Sequence, residues 1–241
     1  NTKELEKVLA AEKDNTSLKL MYGFNHRYHE SVQDSLQIIR NGSLGEVINA
    51  RGIYGKSRII TYNQTEWRTS RELAGGGVLL DQGIHMVDLM RLFCGEFNEI
   101  KSFISNDHWQ FDVEGNAYAL MKTDDGVVGM LHSSATQWRH RFELEISLTK
   151  GALRLAGFLS GSKSYGEETL RITWADSKGD GDPKEQITRY NNDPSWQCEV
   201  DLFIDSIVHN KKIMSGSSND AYQTLKTVEA IYNADTDWGQ K

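Results

Sequence analysis

Gly75-Gly76-Gly77-Val78-Leu79-Leu80-Asp81-Gln82-Gly83-Ile84-His85-Met86-Val87-Asp88-Leu89-Met90 is the stretch around which the rest of the chain can be arranged. Three glycines lead into a helix predicted over about 78–93, stopped by Cys94-Gly95. At about 100° per residue, with Asp81 at zero, His85 falls at about 40° and Asp88 at about −20°, so the three share a face. The other faces carry Leu79, Leu80, Ile84, Met86, Val87, Leu89, Met90, Leu92 and Phe93. A helix apolar nearly all round is buried, and its carboxylates and imidazole must be satisfied or stand beside a cavity. A carboxylate one turn from a histidine can raise its pKa and orient it, which is how a general acid/base is tuned. The glycines remove side chains where a ligand or a backbone approaches closely. A core histidine bonded to a carboxylate, beside a tight glycine turn, fits the same residues. A metal site fits less well, because ligands at i, i+4 and i+7 of one helix converge poorly on one ion, and no metal is expected.

Upstream, Leu5, Val8 and Leu9 predict a helix over 3–13, with Thr2 as its cap and Leu5 where a capping box wants Glu or Gln. Leu18–Tyr22 follows as a strand ending at Gly23. Asn25-His26-Arg27-Tyr28-His29 then stands just past the carboxyl end of that strand, where ligands bind in α/β units, though an interdomain loop with Arg27 in a surface ion pair fits slightly better. A second helix spans 28–40 and a strand Glu46–Gly55. Trp67-Arg68 is either a substrate clamp or a half-buried aromatic beside a solvated arginine; Trp138-Arg139-His140 is a strand-end feature.

Downstream, alternating runs at Lys101–Ser105, Asn116–Lys122, Val127–Ser133, Phe142–Leu148 and Ala152–Ala156, parted by turns such as Asp124-Asp125-Gly126, predict an antiparallel meander. Loops at 157–169 and 176–183 flank a strand at about 170–175, and helices at about 195–210 and 219–235 close the chain. The expected class is α+β: a large, open, mainly antiparallel sheet with helices, after a leading α/β piece.

Composition narrows function. The 241 residues carry 27 Lys plus Arg against 34 Asp plus Glu, a net −7 without a basic cluster, so nucleic acid is not the expected partner. A 38% hydrophobic content supports a core, and no run approaches a membrane span. Cys94 and Cys198 cannot form a disulfide framework, and with no signal-peptide layout a cytoplasmic location is expected. Opening on Asn1 in mid-pattern suggests a piece of a longer protein. No G-x-G-x-x-G opens a helix, no phosphate loop is complete, and no G-x-S-x-G elbow or zinc spacing occurs.

Tyr22–His29, Gly42-Ser43-Leu44-Gly45-Glu46-Val47, Trp67-Arg68, Gly75–Asp88, Val113-Glu114-Gly115-Asn116-Ala117 and Val228-Glu229-Ala230-Ile231-Tyr232 together resemble the Gfo/Idh/MocA oxidoreductases, over about residues 2–235. The resemblance implies a dinucleotide-binding Rossmann domain, of which 1–26 is the tail, and an α+β substrate and oligomerisation domain over 27–241. It implies an NAD(P)-dependent dehydrogenase of a sugar, polyol or sugar-nucleotide secondary alcohol, with His85 removing the hydroxyl proton and Asp81 orienting or binding substrate. Arg27 would lie near the nicotinamide or the substrate, with Asn25, Trp67 and Arg68 also on the substrate. The partners implied are a carbohydrate-type small molecule and further copies of the chain, paired through the open sheet. The family's glycine fingerprint and Glu-Lys-Pro motif do not occur here, so the 241 residues alone are expected to bind no NAD or NADP tightly and to turn over nothing. A redox-assisted, NAD-dependent glycosidase and a non-catalytic oligomerisation module are the alternatives.

Overall fold

In the computed structural model, which describes residues 1–58, 66–160, 164–176, 179 and 181–239, the alternating segments gather into one eight-stranded sheet. Helices α1 (Thr2–Asp14) and α2 (Glu30–Arg40) precede β1 (Val47–Gly55). A single turn, α3 (Arg71–Ala74), leads to α4 (Ile84–Cys94). Then come β2 (Phe97–Ser105), β3 (Asn116–Thr123), β4 (Val128–Ser134), β5 (Arg141–Leu148), β6 (Gly151–Ala156), β7 (Glu168–Trp174) and β8 (Glu185–Tyr190). Helices α5 (Ser195–Val208), α6 (Ser218–Ala234) and α7 (Thr236–Gly239) follow.

The strand order is β2-β3-β4-β1-β5-β6-β7-β8, so the expected meander is broken in the middle. β1, made early, takes the slot between β4 and β5, parallel to β4 and antiparallel to β5, with Gly52 opposite Leu131 and Leu144. Local alternation reveals each strand but carries no record of which neighbour a distant strand takes. α4 lies across β1 and α6 across β2, covering one face. Gly52 permits the close seat of α4, since a Cβ there would stand 2.7 Å from the Met86 side chain. The core between helices and sheet includes Met86, Leu89, Met90, Leu131, Leu144 and Ile146. On the other face Phe103, Tyr118, Leu120 and Met130 are exposed.

Three local expectations change. The capping box of α1 forms one residue earlier than read: Asn1 Oδ1 accepts from the Glu4 N–H and the Glu4 carboxylate accepts from the Asn1 nitrogen. Leu18–Tyr22 is not a strand, because no strand among the described residues lies beside it; the Tyr22 N–H donates instead to Gly216 O at 2.7 Å. β8 was hidden in Glu185-Gln186-Ile187-Thr188-Arg189-Tyr190, an edge strand whose first three residues are exposed and show no buried alternation.

Candidate active site

The site begins at the glycine turn. Gly77 and Leu79 both donate their N–H groups to the Glu114 carboxylate, at 2.7 and 2.8 Å, and the Tyr232 hydroxyl donates to it at 2.8 Å. A Cβ on Gly77 would meet Glu114 O at 2.2 Å. This glycine is therefore needed for backbone contact, and Glu114 neutralises amide donors that a helix start leaves unpaired.

From Leu79 to Gly83 the chain makes a π-helical turn before α4 begins. The wider turn breaks the 100° arithmetic, and the three polar side chains separate. Asp88 turns inward and takes Arg27 Nε and Nη2 at 2.7 and 2.6 Å, with the Thr224 hydroxyl at 3.1 Å. Arg27 Nη1 reaches Asp220 and Ser215 at 3.2 and 3.3 Å, so this arginine, expected near nicotinamide or substrate, lies 6% exposed with each nitrogen spent on protein. A carboxylate buried in the helical core needs a cation, and Arg27 supplies it.

Asp81 turns the other way. Its Oδ2 accepts from Lys56 Nζ and its Oδ1 from Arg68 Nη1, both at 2.9 Å. Lys56, Trp67, Arg68, Gly76, Gly77 and Asp81 border a hollow of about 240 Å³. Trp67 is exposed, with Arg68 Cζ 4.9 Å above its ring. Lys56 is 4% exposed and had no place in the sequence reading; its signal was a lysine directly after the alternating strand that ends Tyr54-Gly55.

His85 is hydrogen-bonded to neither aspartate. Its ring stacks on His26, with centroids 4.1 Å apart and planes 8° from parallel, and it keeps some exposed surface while Nδ1 is buried without a partner among the described residues. Burial lowers its pKa below the ordinary 6.5, and the charges of Asp88 and Asp81 offset this only in part, so the imidazole is neutral at pH 7. His26 is held neutral more strongly, first by burial and then by His85 and His29. Asn25, buried, accepts from His26 Nδ1 through Oδ1 at 3.1 Å, which leaves His26 Nε2 to accept from the Tyr54 hydroxyl at 3.1 Å. Gln82 donates to the Tyr165 hydroxyl at 2.7 Å, and the Tyr54 and Tyr165 rings meet edge-on.

The structure thus brings Asp81, Arg68 and Trp67 together around a hollow, with Lys56 added, and places Asn25 behind the His26–His85 stack. Arg27 belongs to neither group. Among the described residues no three His, Cys, Asp or Glu side chains are placed to hold a metal ion. No helix among them is long and apolar enough to cross a membrane.

Residues 32–154 match the model of the GFO/IDH/MocA C-terminal domain. The chain belongs to the GFO/IDH/MocA family. Levoglucosan dehydrogenase of Pseudarthrobacter phenanthrenivorans is 30% identical over 86 residues, 35% of this chain and 22% of that protein. The uncharacterized protein UNK4.17 of Schizosaccharomyces pombe is 23% identical over 236 residues, 88% of this chain and 54% of that one. The chain therefore spans about half or less of the length of these curated relatives. Among solved structures, aldose-aldose oxidoreductase from Caulobacter crescentus, complexed with glycerol, superposes with a TM-score of 0.79 at 24% identity over 98% of this chain and 67% of that one. Levoglucosan dehydrogenase in complex with NADH gives 0.82 at 20% identity, over 98% of this chain and 68% of that one. These likenesses establish the fold: an open, mostly antiparallel sheet carrying helices, as in the oxidoreductases of this family.

Proposed function

We propose that this chain is the substrate-binding and acid/base portion of an NAD(P)-dependent oxidoreductase acting on a secondary alcohol of a sugar, polyol or sugar nucleotide. The observation that carries this reading is the His85 imidazole: neutral, partly exposed, fixed by the His26 ring, and unpartnered at Nδ1. Oxidising a secondary alcohol takes a base at the hydroxyl while hydride leaves the carbon, and a neutral imidazole can accept that proton. Asp81, Lys56 and Arg68 then hold the neighbouring oxygens, and Trp67 offers a flat apolar face to the sugar ring. Asn25 acts behind them by setting the His26 tautomer. Arg27 anchors the helix through Asp88.

The bound nicotinamide would supply the hydride acceptor, as NADH is the partner in the levoglucosan dehydrogenase complex. The triple-glycine turn does not fit the dinucleotide's pyrophosphate, because its amide donors are spent on a carboxylate that would repel phosphate. We therefore do not assign the phosphates to this turn, and expect the chain alone to bind NAD(P) weakly and to be inactive. Calorimetry with NADH checks this; tight binding by the isolated chain contradicts it. In the longer protein that holds the dinucleotide, His85→Asn should lower turnover of levoglucosan or a related sugar by about 10²–10⁴-fold. Near-normal turnover would favour the oligomerisation module, and sugar cleavage without net NAD reduction the redox-assisted glycosidase.

The oligomer expectation has its own support. On β3 the outward positions between buried Ala117, Ala119 and Met121 are Tyr118 and Leu120, where a solvated face would carry polar residues. We assign this open face to pairing with another copy of the chain.

A further inference from the structure

We propose that the hollow beside Asp81 receives the anionic substituent of a sugar, a carboxylate or a phosphate, in place of a neutral pair of hydroxyls. This rests on the reading of the hollow as the substrate's site and adds the substrate's charge.

The argument is a balance of donors. Lys56 brings three N–H groups and Arg68 five, and among the described residues each gives one of them to Asp81. Arg68 Nε is buried without a partner among the described residues, so the described structure leaves the guanidinium under-satisfied. Asp81 is the one carboxylate among the described lining residues, and each of its oxygens accepts from one of these cations. The described lining therefore carries two positive charges against one negative, in a chain whose net charge is −7. Lys56 is nearly wholly buried, and a buried ammonium is costly unless its charge is matched. A neutral sugar can donate its hydroxyls to the lone pairs Asp81 keeps open, but it leaves the surplus positive charge unmatched. A carboxylate or phosphate accepts only, carries the missing charge, and makes charge-assisted bonds to both cations. Trp67, exposed beside Arg68, would take the sugar ring while the anion sits deeper.

The test titrates the 241-residue chain with D-glucose, D-glucuronate and D-glucose 6-phosphate, read by calorimetry and tryptophan fluorescence. At least one anionic sugar should bind about ten-fold or more tighter than glucose, and the margin should shrink with salt. Which anion prevails separates carboxylate from phosphate. Lys56→Met and Arg68→Met should each remove most of the preference, with Arg68→Lys restoring part of it. Thermal melts identify any variant that fails to fold, and Lys56→Arg, which keeps the charge, should retain the preference. Equal binding of all three sugars, binding of none, or a preference unchanged in both methionine variants overturns the proposal. Anion-selective binding without NAD reduction in the longer protein sinks the oxidoreductase reading alone. Turnover of a neutral sugar without anion preference sinks this one alone.

Discussion

Asp81 and Asp88 stand on one helical run and each faces an arginine, yet the two pairs are built differently. Arg27 meets Asp88 through two nitrogens at 2.6 and 2.7 Å, both partners are buried, and Thr224, Asp220 and Ser215 take up the remaining capacity. Arg68 meets Asp81 through one nitrogen at 2.9 Å, both side chains are about 30% exposed, and Nε has no partner. A closed pair of charges has nothing left to offer a ligand. An open pair, shared with Lys56 and beside a hollow, does. Completeness of pairing, more than residue type, separates the part of this helix that holds the fold from the part available for chemistry.

The largest effect that could break this contrast is on the closed pair. Arg27→Met would strand Asp88 beside Thr224 in the core, and removing one partner of a buried pair costs about 3–5 kcal/mol. Urea unfolding measures it directly. A loss below about 1 kcal/mol would mean that the pair behaves like a surface one.

The histidine stack provides the next test. Burial holds His26 and His85 below the ordinary value of 6.5 in the folded chain. Below that pH the unfolded chain takes up protons that the folded one refuses. The contribution of these two histidines to stability should thus be level above pH 6.5 and fall as pH drops toward the depressed values, by up to about 1.4 kcal/mol per pH unit for each. His132 and His140, also lowered by burial, add to the fall, and Glu114 and Glu199, raised by burial, oppose it. Glu168 adds to the loss only below about 4.5, because the bonds from His29 and Ser31 outweigh its burial and hold its pKa low. Urea unfolding at a series of pH values should show the slope, and His85→Gln should reduce it. An unchanged slope in that variant would mean that His85 is charged in the folded protein.

Much of this was legible in the sequence, and the failures share a cause. The sheet's segments from β2 to β7 and the closing helices follow from alternation and from spacing at i, i+3 and i+4, which are properties of one segment at a time. The placement of β1 between β4 and β5 is a property of the whole sheet and left no local mark. Asp81, Arg68 and Trp67 were legible as polar or aromatic residues around a glycine turn. Their grouping with Lys56 was not, because Lys56 precedes Asp81 by a strand end and a loop. The shared face of Asp81, His85 and Asp88 failed because the angular arithmetic assumes an α-helix, and nothing in Leu79-Leu80-Asp81-Gln82-Gly83 announces a π turn. Glu114 was visible only as part of a family resemblance; its place under Gly77 needs the fold.

The smallest expected effect is also the one that sharpens the contrast most. Arg68→Met removes a partly exposed, single-point ion pair, which is worth about 0–1 kcal/mol, and Lys56 remains to neutralise Asp81. It also removes the buried, unpartnered Nε, a polar atom whose burial costs free energy, so the net change could fall on either side of zero. Chemical denaturation of Arg27→Met and Arg68→Met side by side should therefore show several kcal/mol for the first and less than about 1 kcal/mol for the second. If the second variant lost as much stability as the first, Arg68 would be holding the fold with donors that look idle, and the hollow would lose its claim to them. If the difference holds, those donors add little to stability, as they should if their partner is a ligand and not the fold.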